Sequence, residues 1–269
     1  MTAVAESLRL QLTPALRYLL RWADTTLIHA QRLAEWCGHG PVIEEDIALT
    51  NMALDCIGQT RGLLTRVGQL EGQGFDEDQL AFLRDEASYF NLTLVELPAR
   101  RSSAHAPGGD FADTVVRNLL LACWLEPAWA GMAGSADAEV AAVAGKALKE
   151  ARYHRQHAAD WTVRLGDGTP ESRARMQAAL ERTWPYTNEM FVDDEVDRAG
   201  AEARLGPARA SLLPAWLSHV EPVLAEATLQ RPADTPLRST GSNGVHSEHM
   251  GFILAEMQSL QRQFPGGRW

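Results

Sequence analysis

Ala147-Leu-Lys-Glu-Ala-Arg-Tyr-His-Arg-Gln-His-Ala-Ala-Asp-Trp-Thr-Val-Arg-Leu165, followed by Gly166-Asp-Gly-Thr-Pro170, settles the fold class. Ala147, Ala151, His154, Ala158, Trp161 and Leu165 recur every three or four residues. That is the period of one helix face, not the alternation of a strand. The closing run stops the helix on glycine and restarts it with Thr169 as N-cap and Pro170 at the first helical position. The stripe is built mostly of alanine, so another helix can approach it closely, and His154 is carried inward with it.

On either side of this stretch the same period recurs along the chain. Residues from Ser7 or Pro14 to Trp36 form a helix that ends at Cys37-Gly-His-Gly-Pro41. Glu44-Glu45-Asp46 place negative charge where a helix N-terminus favours it. That helix reaches about Val67 with Ala48, Met52, Cys56, Gln59, Leu63 and Val67 on one stripe. Asp76 and Gln79 have the spacing of a capping box and predict a helix to about Leu94. Pro98 to Asp110 reads as a loop. Further helices are predicted over Phe111–Ala133, Asp137–Leu165, Pro170–Thr183, Pro207–Leu229 and His246–Phe264. No segment has strand periodicity, so the chain is all-α: two pairs of long helices make a four-helix core, with additional C-terminal helices on one end.

Composition limits the partners. The 269 residues carry 25 Lys+Arg against 35 Asp+Glu, a net charge of -10. This disfavours nucleic acid and anionic membrane, which attract concentrated positive surfaces. Cys37, Cys56 and Cys123 are odd in number and scattered, so they read as reduced thiols. The N-terminus lacks a signal-peptide pattern and no segment has the length of a membrane span. A cytoplasmic protein is expected.

Dinucleotide, P-loop, zincin and serine-hydrolase motifs are absent. Helical bundles can also house a di-iron centre, which needs two Glu-x-x-His pairs. Three residues before the eight histidines stand Thr26, Trp36, Ser102, Ala151, His154, Trp216, Asn243 and His246, none of them acidic. Cys56 and Gln59 have the spacing of such a pair, but a thiol and an amide are poor ligands for hard iron. Other polar groups are His246 with His249 at a helix N-terminus, which read as capping and surface hydrogen bonds before a site, Asn51 with Asp55, which read as a buried network, and Arg100-Arg101, which read as exposed loop residues although their charges suit coenzyme A phosphates. Lys149-Glu150-Ala-Arg152 reads as a solvated face.

Several separated segments resemble the C-subunit family of bacterial phenylacetyl-CoA epoxidases. They are Glu35-Trp-Cys-Gly-His39, Glu44-Glu-Asp-Ile-Ala-Leu49, Ala53-Leu-Asp-Cys-Ile-Gly-Gln59, Phe82-Leu-Arg-Asp-Glu86, Lys146-Ala-Leu-Lys-Glu-Ala-Arg-Tyr-His154, Arg164-Leu-Gly-Asp-Gly-Thr169 and Trp184-Pro-Tyr-Thr187. Gly244-Val-His-Ser-Glu-His-Met-Gly251 and Ala255-Glu-Met-Gln258 extend the match to the carboxyl end. The resemblance implies a ferritin-like fold as a single domain over residues 1–269. It also implies a place in phenylacetate catabolism, in a multicomponent monooxygenase that makes the ring 1,2-epoxide of phenylacetyl-CoA. In that family the di-iron centre and the substrate site belong to a ferritin-like A subunit, a separate reductase delivers electrons from NADPH, and the C subunit is structural.

On this alignment Cys56 and Gln59 occupy one former ligand pair and Ala151 and His154 the other. The expected chain is therefore non-catalytic, without a metal or cofactor of its own. Two alternatives stay open: an autonomous metalloenzyme with Asp55, Glu150, His154 and His249 as its site, and a stand-alone acyl-CoA-binding bundle.

Overall fold

The computed structural model describes residues 5–99 and 110–267. Arg100 and Arg101, His105, Trp269 and most of the Pro98–Asp110 loop lie outside the described residues. Four long helices make the core: α1 (Pro14–Ala34), α2 (Ile43–Glu71), α4 (Phe111–Met132) and α5 (Ala138–Gly166). Between the two pairs stands a short α3 (Glu77–Phe82), and α6 (Pro170–Thr183), α7 (Glu195–Glu202), α8 (Leu213–Glu226) and α9 (Glu248–Gln263) follow. Helix α1 pairs with α2, α4 pairs with α5, and the pairs meet where α2 faces α5. Among the described residues there is no strand, only an isolated bridge between Thr240 and Val245. No helix among them is long and apolar enough to cross a membrane.

Local chemistry sets most helix ends. The Thr13 hydroxyl accepts from Leu16 N ahead of Pro14, and the Asp137 carboxylate accepts from the amides of Glu139 and Val140. Each satisfies a donor that the first helical turn leaves without a partner. The expected capping box at Asp76 and Gln79 is present, and Thr169 with Ser172 forms another. Gly72 ends α2 in the left-handed region at φ 90°, which glycine adopts without a Cβ penalty.

The core is aromatic where α1 meets α4. Trp22 stacks on Trp124 with centroids 4.4 Å apart, and Trp129 tilts against Trp22. Trp216 of α8 is buried and donates to Leu120 O in the middle of α4 at 2.9 Å. The C-terminal helices therefore lie against the sides of the core, α6 and α8 on α4 and α5, and α7 and α9 on α1, rather than on one end.

Three predicted helices differ from the structure, each because a buried arginine or histidine takes over backbone groups. The helix expected to Leu94 stops at Phe82 and gives way to 3₁₀ turns at Glu86–Ser88 and Thr93–Val95. There Arg84, fully buried, donates to Leu80 O, to Ser88 O and to the Asp24 carboxylate. The helix expected from Pro207 begins at Leu213, because Arg209 is buried against Asp197, Glu189 O and Val192 O. Ser247 caps α9, which leaves His246 outside the helix. The 3₁₀ segment Trp184–Phe191 and helix α7 have no counterpart among the predicted elements.

Candidate functional site

The facing stripes of α2 and α5 bring the four positions aligned above with a di-iron ligand set into the middle of the bundle. Cys56, Gln59, Ala151 and His154 are all buried. Small residues at Ala144, Ala147, Ala151 and Ala158 let α5 approach α2 closely, and Gly62 of α2 sits against Val143. Cross-helix hydrogen bonds then join the pair. His154 Nε2 donates to Asp55 Oδ2 at 3.0 Å, since an ionised carboxylate can only accept. Gln59 Nε2 donates to Glu150 Oε2 at 3.0 Å, and His157 Nε2 to Glu45 Oε2 at 2.9 Å.

The electrostatics keep this region neutral at its centre. Burial pulls the His154 pKa down, more strongly than the hydrogen bond to Asp55 and its charge push it up. His29 of α1 is drawn well below the ordinary imidazole value by burial first, then by the positive charge of Arg117 and by His154. Burial pushes the Cys56 thiol up, and the Asp55 and Glu150 carboxylates push it further, so it is not a thiolate at neutral pH. Thr26 and Thr60 share a hydrogen bond of 2.8 Å between α1 and α2. Among the described residues, His29 Nδ1, Gln59 Oε1 and Asn118 Oδ1 are buried without a hydrogen-bond partner.

A di-iron centre of the kind the resemblance places in the related A subunit does not fit these residues. It requires carboxylates aimed at a common point. Here the inward atoms are a protonated thiol, an amide and a methyl group, and the nearby Asp55 and Glu150 carboxylates are taken by His154 and Gln59. Among the described residues no group of three or more His, Cys, Asp and Glu could hold a metal ion. What the arrangement does chemically is cross-link helices with part-buried hydrogen bonds to carboxylates.

The structure separates the alternative set. Asp55 meets His154 and Glu150 meets Gln59, whereas His249 lines a different cavity with Leu94, Arg117 and Arg182. Glu150, expected on a solvated face, is turned inward with its side chain 13% exposed, and Lys146 pairs with it at 3.3 Å. Asn51 is exposed and takes no part in a buried network with Asp55. His246 does not stand beside His249 as a pair of ligands: its Nδ1 donates to Glu96 at 2.7 Å and its Nε2 to Tyr89 O at 3.0 Å. With an acceptor on each nitrogen the ring is held as imidazolium. Burial lowers its pKa, but the hydrogen bond and charge of Glu96 outweigh burial and raise it.

Sequence reasoning missed His29, the Glu45–His157 pair and the buried Arg117. The signal available for His29 was a histidine on the same α1 surface as Trp22, seven residues on. Glu45 and His157 carried no signal, because their 112-residue separation is closed only by helix packing.

A family model described as "Phenylacetic acid catabolic protein" matches residues 1–269. The chain is 43% identical over 252 residues to the C subunit of the 1,2-phenylacetyl-CoA epoxidase of Escherichia coli, a match over 94% of this chain and 98% of that protein. Among solved structures, a Synechococcus protein with aldehyde deformylating oxidase activity matches with a TM-score of 0.52. The identity there is 16%, over 79% of this chain and 92% of the other. That likeness shows the fold alone, an all-α ferritin-like bundle.

Proposed function

The chain belongs to the phenylacetic acid catabolic protein family, and on that footing we propose that it is the structural C subunit of a multicomponent phenylacetyl-CoA 1,2-epoxidase. In this reading the di-iron centre and the substrate are held by a ferritin-like A subunit, to which a separate reductase passes electrons from NADPH. This chain keeps that partner in its active geometry. The observation that carries the proposal is the chemistry of the former ligand positions: Cys56, Gln59 and Ala151 offer no carboxylate, and His154 is engaged by Asp55.

A second observation supports a partner. Ile43, Ile47, Leu54 and Ile57 follow one another on the outer face of α2, opposite the buried stripe, and are 72%, 56%, 59% and 40% exposed. A helix of an isolated bundle is expected to be polar on its outer face. Four exposed apolar side chains spread over about 20 Å of one face, at 1.5 Å per residue, instead suit the interface of a permanent complex. Such an interface buries about 2,000 Å² or more.

The test is co-expression with the A subunit, followed by metal analysis of the separated chains and reconstitution with the reductase. Iron is expected in the A subunit but not in this chain, with epoxidation of phenylacetyl-CoA only when all three are combined. Ile47→Asp with Leu54→Asp is expected to leave this chain folded and to abolish co-purification. Two tightly bound metal ions per copy of this chain, or full turnover without it, would refute the proposal.

A further inference from the structure

A cavity of about 370 Å³ opens between the start of α4, the end of α6 and the first turn of α9. Its walls include Leu94, Leu97, Pro98 and Tyr186 on the apolar side and Arg117, Arg182, Asp113 and His249 on the polar side. Arg182 is ion-paired with Asp113. Arg117 is different. It is 3% exposed, its Nη1 donates to Leu97 O at 2.5 Å, and its Nε is buried with no hydrogen-bond partner among the described residues.

A guanidinium has five donors, and a buried one is ordinarily met by a carboxylate. Asp24 does this for Arg84, and Asp197 for Arg21 and Arg209. Among the described residues no carboxylate forms an ion pair with Arg117. Burial first, and the positive charge of neighbouring Arg32 second, depress the Arg117 pKa to about 10, which still leaves the group cationic at neutral pH. Glu35 is taken by Arg32 and Glu96 by His246. Among the described residues the polar wall therefore holds two arginines and one aspartate, an excess of one positive charge beside an apolar surface.

We propose that this cavity binds a small monocarboxylate, with the carboxylate against the Arg117 guanidinium and the apolar body against Leu94, Leu97 and Tyr186. A guanidinium without a carboxylate partner gains a charge-assisted hydrogen bond from a bound carboxylate. The single excess charge matches a monoanion, and the volume admits an aryl or short alkyl acid but not a coenzyme A thioester. The site stands whether or not the chain is a structural subunit.

The test is titration calorimetry of the full chain with three probes: phenylacetate, uncharged phenylacetamide and inorganic phosphate. Phenylacetate is expected to bind one to one. Phenylacetamide should bind at least about tenfold more weakly, because it leaves the guanidinium unmatched. Phosphate should also be weaker, because it has no apolar body. Arg117→Met is expected to lose phenylacetate binding while melting no lower than the parent in the absence of ligand, since an uncompensated buried charge has been removed. Leu97→Trp, which fills the cavity and keeps Arg117, should also abolish binding and serves if Arg117→Met does not fold. Equal affinity for acid and amide, phosphate binding as tight as phenylacetate, no binding of phenylacetate at millimolar concentration, or unchanged binding in both variants would overturn the proposal.

Discussion

Asp24→Ala is expected to be among the most damaging single substitutions in the molecule, although Asp24 lies on α1 and not among the facing α2 and α5 positions of the candidate site. Asp24 and Arg84 are both fully buried and joined by two hydrogen bonds, and Asp24 Oδ2 also accepts from Phe90 N at 2.9 Å. Arg84 in turn stacks its guanidinium over the Tyr89 ring at 4.1 Å. Removing the carboxylate leaves a buried cation with carbonyl partners only and a buried amide with none. Breaking a buried pair costs about 3–5 kcal/mol, which already includes much of the orphaned-donor penalty. At about 2–4 °C per kcal/mol for a chain of this size, the melting temperature should fall by about 10 °C.

Thermal melts followed by circular dichroism, with a double-mutant cycle, check this expectation. Asp24→Ala combined with Arg84→Met should recover part of the loss, because no charge is then stranded. It should not recover all, since Phe90 N, Leu80 O and Ser88 O still lose partners. A coupling of about 2 kcal/mol or more between the two positions is expected. If Asp24→Ala melts within about 2 °C of the parent, or if the two substitutions simply add, the ion pair is not what holds residues 83–90 against α1.

Further outcomes follow from other contacts. His154→Leu should cost about 1 kcal/mol in chemical denaturation, at the low end for a lost buried hydrogen bond, because the Asp55 side chain is 34% exposed and can be resolvated. Gly68→Ala should destabilise by about 1–3 kcal/mol despite the better helix propensity of alanine, since the added Cβ would lie 2.0 Å from Phe75 O. Stability should fall in two pH windows. The His246 pKa is raised, so its contribution is full below about 6.5 and is lost as pH rises through the folded value; His246→Gln should remove that loss in melts between about pH 6 and 9. The pKa values of His29 and His154 are lowered, so theirs is present above about 6.5 and is lost as pH falls through the folded values.

Helix positions were legible in the sequence wherever local chemistry sets them. The caps at Asp76 and Thr169 and the three-and-four spacing on α2 and α5 depend on residues within a turn or two of one another. The same spacing placed Cys56, Gln59, Ala151 and His154 inward, and the absence of carboxylates at those positions needs no coordinates. Which polar group meets which was settled by packing across the chain. Arg84 leaves a helical path because Asp24, 60 residues away, offers a carboxylate in a dry site. Glu150 turns from an apparently solvated face to Gln59 of α2, and His246 leaves α9 for Glu96. Arg117 was invisible because its distinguishing property is a partner it lacks among the described residues. Periodicity assigns a residue to a helix face, but charge pairing across a packed interface depends on distances that packing alone sets.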